Sequence, residues 1–477
     1  MAVIAPQDLV FLLMEAREKP AHVGGLALFE TPDHADEQYL YEMYQSAISS
    51  DAPVRSLFQR RVKRPGLAGY SWTRDDAFDI QYHVRHSALP VPGRVRELLT
   101  VVSRLHGSLL DRNRPLWEAH LIEGLADGRF ALYTKIHHAL CDGVTAMRLL
   151  ESSMSTDPAE TGMPQPWERR PKGSMFDEPD PDEEPRQRQP PDDDSWTAVV
   201  ADGLRRLGST VTGSVEGVLG ASDGIGHLFS SFRDQALSSP LRAPRSMLNV
   251  PITGARRFAA DSWSIQRIRA AAAPHGATVN DMVLAMSAGA LRTYLLEQGA
   301  LPDQPLVAMV PVSLKTRGAD DRAGNAVGAI LCSLGTHLDS APARLAHIQE
   351  SIRQSKSRLE GLSPGQIIAL SALNVAPLAL NMSPLGRLPI TEEVIRPPFN
   401  IVISNVPGPE QPLFWNGAKL SGSYPMSLLV DGQALNITTS SYAGNLDFGI
   451  LGCRRSVPSM QRLLEHLEDE LVALETG

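Results

Sequence analysis

Three cysteines in 477 residues, Cys141, Cys332 and Cys453, are too few and too far apart for a disulfide framework or a zinc ribbon. An odd, sparse count points to a reducing cytoplasm. Basic charge is short as well: 45 Lys and Arg stand against 54 Asp and Glu, a formal charge of -9. That balance excludes a nucleic-acid wrapper, because phosphate affinity rests on clustered cations. No run of ~18–20 uninterrupted apolar residues exists to span a bilayer. The nearest, residues 367–380, is broken by Asn374 and Pro377. It is either a buried, kinked core helix or a greasy lip resting on a membrane. The N-terminal MAVIAPQDLVFLLMEAREK carries acids in its apolar stretch and no basic leader, so it is not a signal peptide.

What is present is ordinary globular material, 43% apolar and 21% charged. The length allows two to four domains at ~100–200 residues each, and the chain is long enough to bury two cores. One stretch stands apart. Between Asp177 and Asp194 there are nine acids against two arginines, amid crowded prolines. It cannot bury enough apolar surface to offset chain entropy and reads as a solvated linker. The division expected is an N-terminal domain over 1–156, a linker over 157–195, a connecting helix and crossover over 196–250, and a C-terminal domain over 251–477. Trp196, Val199, Val200, Leu204, Leu207, Val211 and Val215 carry the helical spacing of that connection.

Both halves read as mixed α/β. In the first, strands are expected at 24–29 and 130–136, with helices at 37–49 and 94–110. In the second, strands fall at 260–264, 306–312, 328–334, 400–404, 434–442 and 446–450. Its clearest helix starts at Thr278 as N-cap, with Asp281 three residues on, and stops at Gly299. Met460, Leu463, Leu467, Leu471 and Leu474 mark a closing amphipathic helix.

The strongest chemical signal is His137-His138-Ala139-Leu140-Cys141-Asp142-Gly143. A strand runs into two histidines, then a turn, then a helix. Adjacent imidazoles at a strand end point to opposite sides, so at most one faces a given cleft. Histidine titrates near neutrality and can take a proton from an alcohol and return it. Two rival readings are a chance pair satisfied in the turn and a metal site of His137, His138 and Asp142. The second lacks another ligand cluster at metal spacing. A third, a serine hydrolase, would need the elbow at 361–365, where proline follows Ser363 and supplies no N–H for an oxyanion hole.

HHALCDG fits the HHxxxDG motif of the CoA-dependent acyltransferases, whose fold is similar to chloramphenicol acetyltransferase; peptide-synthetase condensation domains share the motif. The surrounding text narrows the likeness. PAHVGGLALFE at 20–30, FD at 78–79, HVR at 83–85, LDR at 110–112 and RPLWE at 114–118 resemble bacterial wax ester synthase/diacylglycerol acyltransferases. ND at 280–281, PVS at 311–313, GN at 324–325, SNVPGP at 404–409, SY at 441–442 and FG at 448–449 do so too. The likeness spans nearly the whole chain apart from the linker. It departs at Ala21, where methionine is common, and at Cys453, where aspartate is.

The resemblance implies two chloramphenicol-acetyltransferase-like domains forming a pseudo-dimer, with a tunnel between them. Its substrates would be an acyl-CoA and a hydrophobic alcohol, diacylglycerol or a long-chain fatty alcohol. No cofactor is expected beyond the coenzyme A thioester itself, and no metal. His138 would be the general base, without a covalent acyl-enzyme; His137 would support it, Asp142 would hold the turn and Gly143 would give it room. Asn280 and Asp281 are helix-capping or oxyanion-side residues, Trp117 packs the core or touches substrate, and Ser404 and Asn405 border a rigid turn lining the tunnel. Arg60, Arg61, Lys63 and Arg64 form a basic cluster that meets CoA phosphates or lipid headgroups, or is simply solvated. The expected location is cytoplasmic, with peripheral contact to the inner face of the membrane or to lipid droplets. Acyl transfer from a carrier protein and a silent lipid-binding relative are the alternatives.

Overall fold

The structure, a computed structural model, describes residues 2–4, 6–33, 35–66, 69–169, 243–313, 327–359 and 398–476. The acidic linker, the helix expected after it, the 361–365 turn, the GN pair and the apolar run at 367–380 lie outside the described residues.

The first half runs β1 (Ala2–Val3), α1 (Pro6–Met14), β2 (His22–Glu30), α2 (Tyr39–Ser49), β3 (Arg60–Gly66) and β4 (Gly69–Arg74). It continues with α3 (Ile80–His83), β5 (Val84–Ala88), α4 (Val95–His106), β6 (Trp117–Glu123), β7 (Phe130–His137) and α5 (Gly143–Glu151). The second half holds β8 (Arg256–Ser264), α6 (Ile265–Ala272), α7 (Val279–Glu297), β9 (Val307–Ser313), β10 (Val327–Ser333) and α8 (Ala341–Ser357). Then come β11 (Ile401–Val406), β12 (Phe414–Trp415), β13 (Ala418–Met426), β14 (Leu435–Tyr442), β15 (Asn445–Cys453) and α9 (Arg462–Thr476). Among the described residues these form a small sheet, β1-β4-β3, and two six-stranded sheets, β12-β13-β2-β7-β6-β5 and β10-β9-β11-β14-β15-β8.

The strands expected from apolar patterning are all present, with ends within four residues of the expected ones. The helix expected over 94–110 stops at His106, with Gly107 as its C-cap. Strands β6 and β7 are buried along nearly their whole length, the signature of a sheet covered on both faces. Helix α7 is buried on all sides from Asp281 to Leu291, which makes it the central helix of the second half. Its start is the expected capping box: the Asp281 amide donates to Thr278 Oγ1 at 3.2 Å, and the Thr278 amide donates to Asp281 Oδ2 at 2.8 Å. Gly299 closes the helix at φ +61.

The expected division at residue 251 does not separate the sheets. Strand β13 leaves the second half and pairs antiparallel with β2 over Lys419↔Glu30 to Met426↔Gly24, carrying β12 with it. The two halves also share one apolar core, in which Leu26, Leu98, Val102 and Tyr133 join Phe258, Met282, Leu446 and Phe448. The cause is packing that runs across the boundary. Helix α4 lies on β8, where the Phe258 amide donates to Ser103 Oγ at 2.9 Å. Lys19 pairs with Asp431 at 2.8 Å, and the Arg256 guanidinium donates to the Glu18 carbonyl at 2.9 Å.

The crossing strand is held onto β15 by close approach. Asp447 accepts from the Ser423 amide at 2.7 Å and from Ser262 Oγ at 2.6 Å, and burial pushes its carboxyl up to about 6. A Cβ on Gly449 would sit 2.0 Å from the Pro425 carbonyl oxygen, which is backbone and cannot rotate away. Gly449→Ala is therefore expected to pry β13 off β15 at a cost of about 1–3 kcal/mol, the range for overpacking. Its urea midpoint should fall well below the parent's; an unchanged midpoint would contradict the tight contact.

Candidate active site

Strand β7 ends on His137, and the motif turns from there into α5. The turn is held locally. Asp142 caps α5, its Oδ1 accepting from the Thr145 amide at 2.7 Å, and Gly143 is the first helical residue. A Cβ on Gly143 would meet nothing within 4 Å, so the glycine leaves open space at the helix start.

The two histidines make different contacts. His137 is fully buried; its Nδ1 accepts from the Ala139 amide at 3.1 Å, which places its proton on Nε2, 3.5 Å from Glu15 Oε1. Nε2 faces that carboxylate without meeting hydrogen-bond geometry. His138 lies just beyond the strand, half-buried, with its amide donating to the Ala21 carbonyl at 2.9 Å. Its ring stacks on Phe11 of α1, centroids 4.0 Å apart and planes 19° from parallel. Burial first, and His137 in addition, hold the imidazole below its ordinary range against the opposing pull of Asp142. A neutral ring can accept a proton from a bound hydroxyl.

Glu15 organises the ground beneath the pair. Its Oε1 accepts from the Ala21 amide at 3.1 Å and its Oε2 from Arg112 Nε at 3.0 Å. Burial works to raise this carboxyl, but His137, the Ala21 amide and Arg112 together outweigh it and lower it. Arg112 also donates to the Leu12 carbonyl at 2.6 Å, fastening the last turn of α1.

Beyond His137, the same face of β7 carries a buried polar row. Lys135 is nearly inaccessible, at 2% exposure; Nζ donates to the Leu105 and Ser108 carbonyls at 3.1 and 3.0 Å and pairs with Glu118 Oε2 at 3.2 Å. Glu118 also meets His120 at 3.2 Å and Arg85 at 3.3 Å. Tyr133 contacts His106 Nδ1 at 2.9 Å, and His106 Nε2 donates to the Ser427 carbonyl at 3.1 Å, just past β13. Burial pushes His106 down to about 3, so it is neutral.

The remaining sequence candidates make the following contacts. Trp117 is buried in the opposite layer, its indole N–H donating to the Phe58 carbonyl at 2.9 Å and its ring stacked on His83 at 4.6 Å. Asp281 is occupied in the α7 cap beside Asn280. Ser404 lies within β11 as expected, and Asn405 does too rather than opening the turn after it, because pairing with β14 continues to Val406↔Ser440. There Thr439 Oγ1 donates to Asn405 Oδ1 at 3.0 Å. Of the basic cluster, Arg60, Arg61 and Lys63 lie on β3, where Arg61 is 3.7 Å from Asp75. Cys453 is buried, accepting from the Thr253 amide and the Ser456 hydroxyl at 3.4 Å.

Sequence reasoning missed Phe11, Glu15, Lys135 and Glu118 as parts of the site. The signal for three of them was a charge placed inside an apolar strand or helix edge.

Comparison with known proteins places the chain in a family. Residues 4–283 match the wax ester synthase/diacylglycerol acyltransferase catalytic domain, and residues 323–475 match the C-terminal domain of the same family. A probable diacylglycerol O-acyltransferase of Mycobacterium tuberculosis is 48% identical over 100% of this chain and 99% of its own length. The wax ester synthase/diacylglycerol acyltransferase structure from Marinobacter aquaeolei VT8 superposes with a TM-score of 0.78 at 41% identity, covering 100% of this chain and 99% of that one. The first condensation domain of the CDA synthetase, at 14% identity and a TM-score of 0.52 over 100% and 96% of the two chains, shares the fold. Motif, two-sheet architecture and full-length likeness together show that the chain belongs to the wax ester synthase/diacylglycerol acyltransferase family.

Proposed function

We propose that the chain transfers an acyl group from coenzyme A to the hydroxyl of a hydrophobic alcohol, giving triacylglycerol from diacylglycerol or a wax ester from a long-chain alcohol. The observation that carries this reading is His138, a half-buried imidazole where the strand turns into the motif, stacked on Phe11 and held below its ordinary range by burial. As the acceptor oxygen attacks the thioester carbonyl, the imidazole takes its proton. The tetrahedral intermediate then expels the coenzyme A sulfur, which recovers that proton from the imidazolium. The ester and free coenzyme A leave, and no acyl-enzyme forms. His137 supports the turn through Glu15, and Asp142 and Gly143 shape it.

Such an acceptor lives in lipid. Among the described residues no helix is long and apolar enough to cross a membrane. We place the protein at a membrane or lipid-droplet surface, touching it peripherally; the exposed Leu13 and Leu109 flank the α1 region that covers the motif.

The test is thiol release from palmitoyl-CoA on vesicles carrying diolein or hexadecanol. Release that depends on the acceptor, with protein recovered in the vesicle pellet, is the expected result. Absence of release with free acyl-CoA and both alcohols would overturn the reading in favour of a carrier-protein donor or a silent binding protein. A protein that stays in the supernatant would remove the surface contact.

A further inference from the structure

Helix α1 does more than cap the small sheet. Leu12 packs with Ile4, Val62, Trp72, Leu110, Leu116 and Ala139, with Phe11 against the same cluster. The helix is then fastened to the motif by a closed circuit of polar contacts. The His138 amide donates to the Ala21 carbonyl, the Ala21 amide to Glu15, and Arg112 donates both to Glu15 and to the Leu12 carbonyl. The ring of Phe11 and the ring of His138 are therefore set at 4.0 Å by backbone anchors at both ends.

We propose that Phe11 is a positioning residue for the proposed base: its ring covers one face of the His138 imidazole, fixes the imidazole plane and keeps water off that face. The inference rests on the reading of His138 given above. An imidazole on its side-chain bond has a broad, roughly two-fold torsion, which is soft unless packing restrains it. A stacked phenyl blocks the swing. It also withholds solvent from the imidazolium, which disfavours the charged form. The titratable groups near His138 are His137 and Asp142 from the turn, with Glu15 facing His137 and Asp8 one turn earlier on α1. None of them stacks on the ring.

The test is a series at one position, Phe11→Ala, Phe11→Leu and Phe11→Tyr, beside His138→Ala. kcat and KM for palmitoyl-CoA are measured across pH, with thermal melts and an NMR titration of the His138 ring. Phe11→Ala should lower kcat by up to ~10²-fold, as for a misplaced catalytic group, with KM for acyl-CoA changed by less than about twofold. Its acid limb and the His138 titration should move upward together, toward the ordinary histidine range near ~6.5. Phe11→Tyr should restore both, whereas Phe11→Leu should restore the melting temperature without restoring kcat. A Phe11→Ala enzyme with the parent's kcat and pH profile would overturn the proposal, as would a loss wholly repaired by leucine. Retained activity in His138→Ala would instead sink the base, and the ring titration would still report on Phe11.

Discussion

His138→Ala is expected to lower acceptor-dependent thiol release by about 10²–10⁴-fold, the contribution of a positioned general base. The substitution removes the ring that stacks on Phe11 but leaves the backbone bond from residue 138 to Ala21, so the turn should persist. KM for acyl-CoA should change little, because the ring acts on the proton of the acceptor. The pH profile carries a second signature. Burial lowers the pKa of His138, so the fraction of neutral base, and with it kcat, should hold below the ordinary histidine range and fall only at more acidic pH. Equal rates in parent and variant would remove His138 from the mechanism.

Glu118→Gln is the second large effect, and its readout is stability. Burial works to raise this carboxyl, but the His120 hydrogen bond and the charges of Lys135 and Arg85 outweigh it and take it from 4.5 down to about 2. The depressed pKa means the stabilisation is complete above pH ~4.5 and is lost as pH falls toward 2; a shift of this size corresponds to roughly 3 kcal/mol. Glutamine keeps the shape but leaves Lys135 buried without its counter-charge, at a cost of about 3–5 kcal/mol. Urea midpoints at pH 7 should show this loss, and Lys135→Met alone should show a similar one. The double variant should be less damaged than either single one, because no orphaned charge remains. Additive losses in the double variant, or a parent stability flat between pH 4.5 and 2.5, would show that the pair is not coupled as the geometry implies.

Much of the local structure was legible. The cap at Thr278, the left-handed stop at Gly299 and the apolar face of α9 are written within a few residues of where they act. So was the course from β7 through the two histidines to α5, since an apolar strand, a capping Asp142 and a helix follow one another directly. What could not be read depends on partners far away in sequence. Strand β13 carries Gly422 and Pro425 and a register shift between Leu420 and Gly422, so its pattern is irregular, and its place is decided by β2 and β15. Phe11 looks like one more apolar residue of an amphipathic segment; only the docking of α1 brings it to His138. Lys135 is a charge in a strand whose neighbours are apolar, but its mate Glu118 sits on another strand, and the carbonyls it binds close the end of α4.

The crossing of β13 also sets a schedule for making the protein. Glu30 on β2 waits for Lys419, 389 residues later in the chain. At ~5–20 residues per second a ribosome takes about 20–80 s to supply that partner. Throughout that interval the β2 edge presents unpaired N–H and C=O groups beside apolar side chains, a template for wrong pairing. The first sheet is finished by nearly the last strands synthesised, so the half bearing the histidines is not a self-sufficient folding unit. Its strands are completed together with the second sheet, and a chain stopped short of residue 418 would carry the whole motif on a sheet with an open seam.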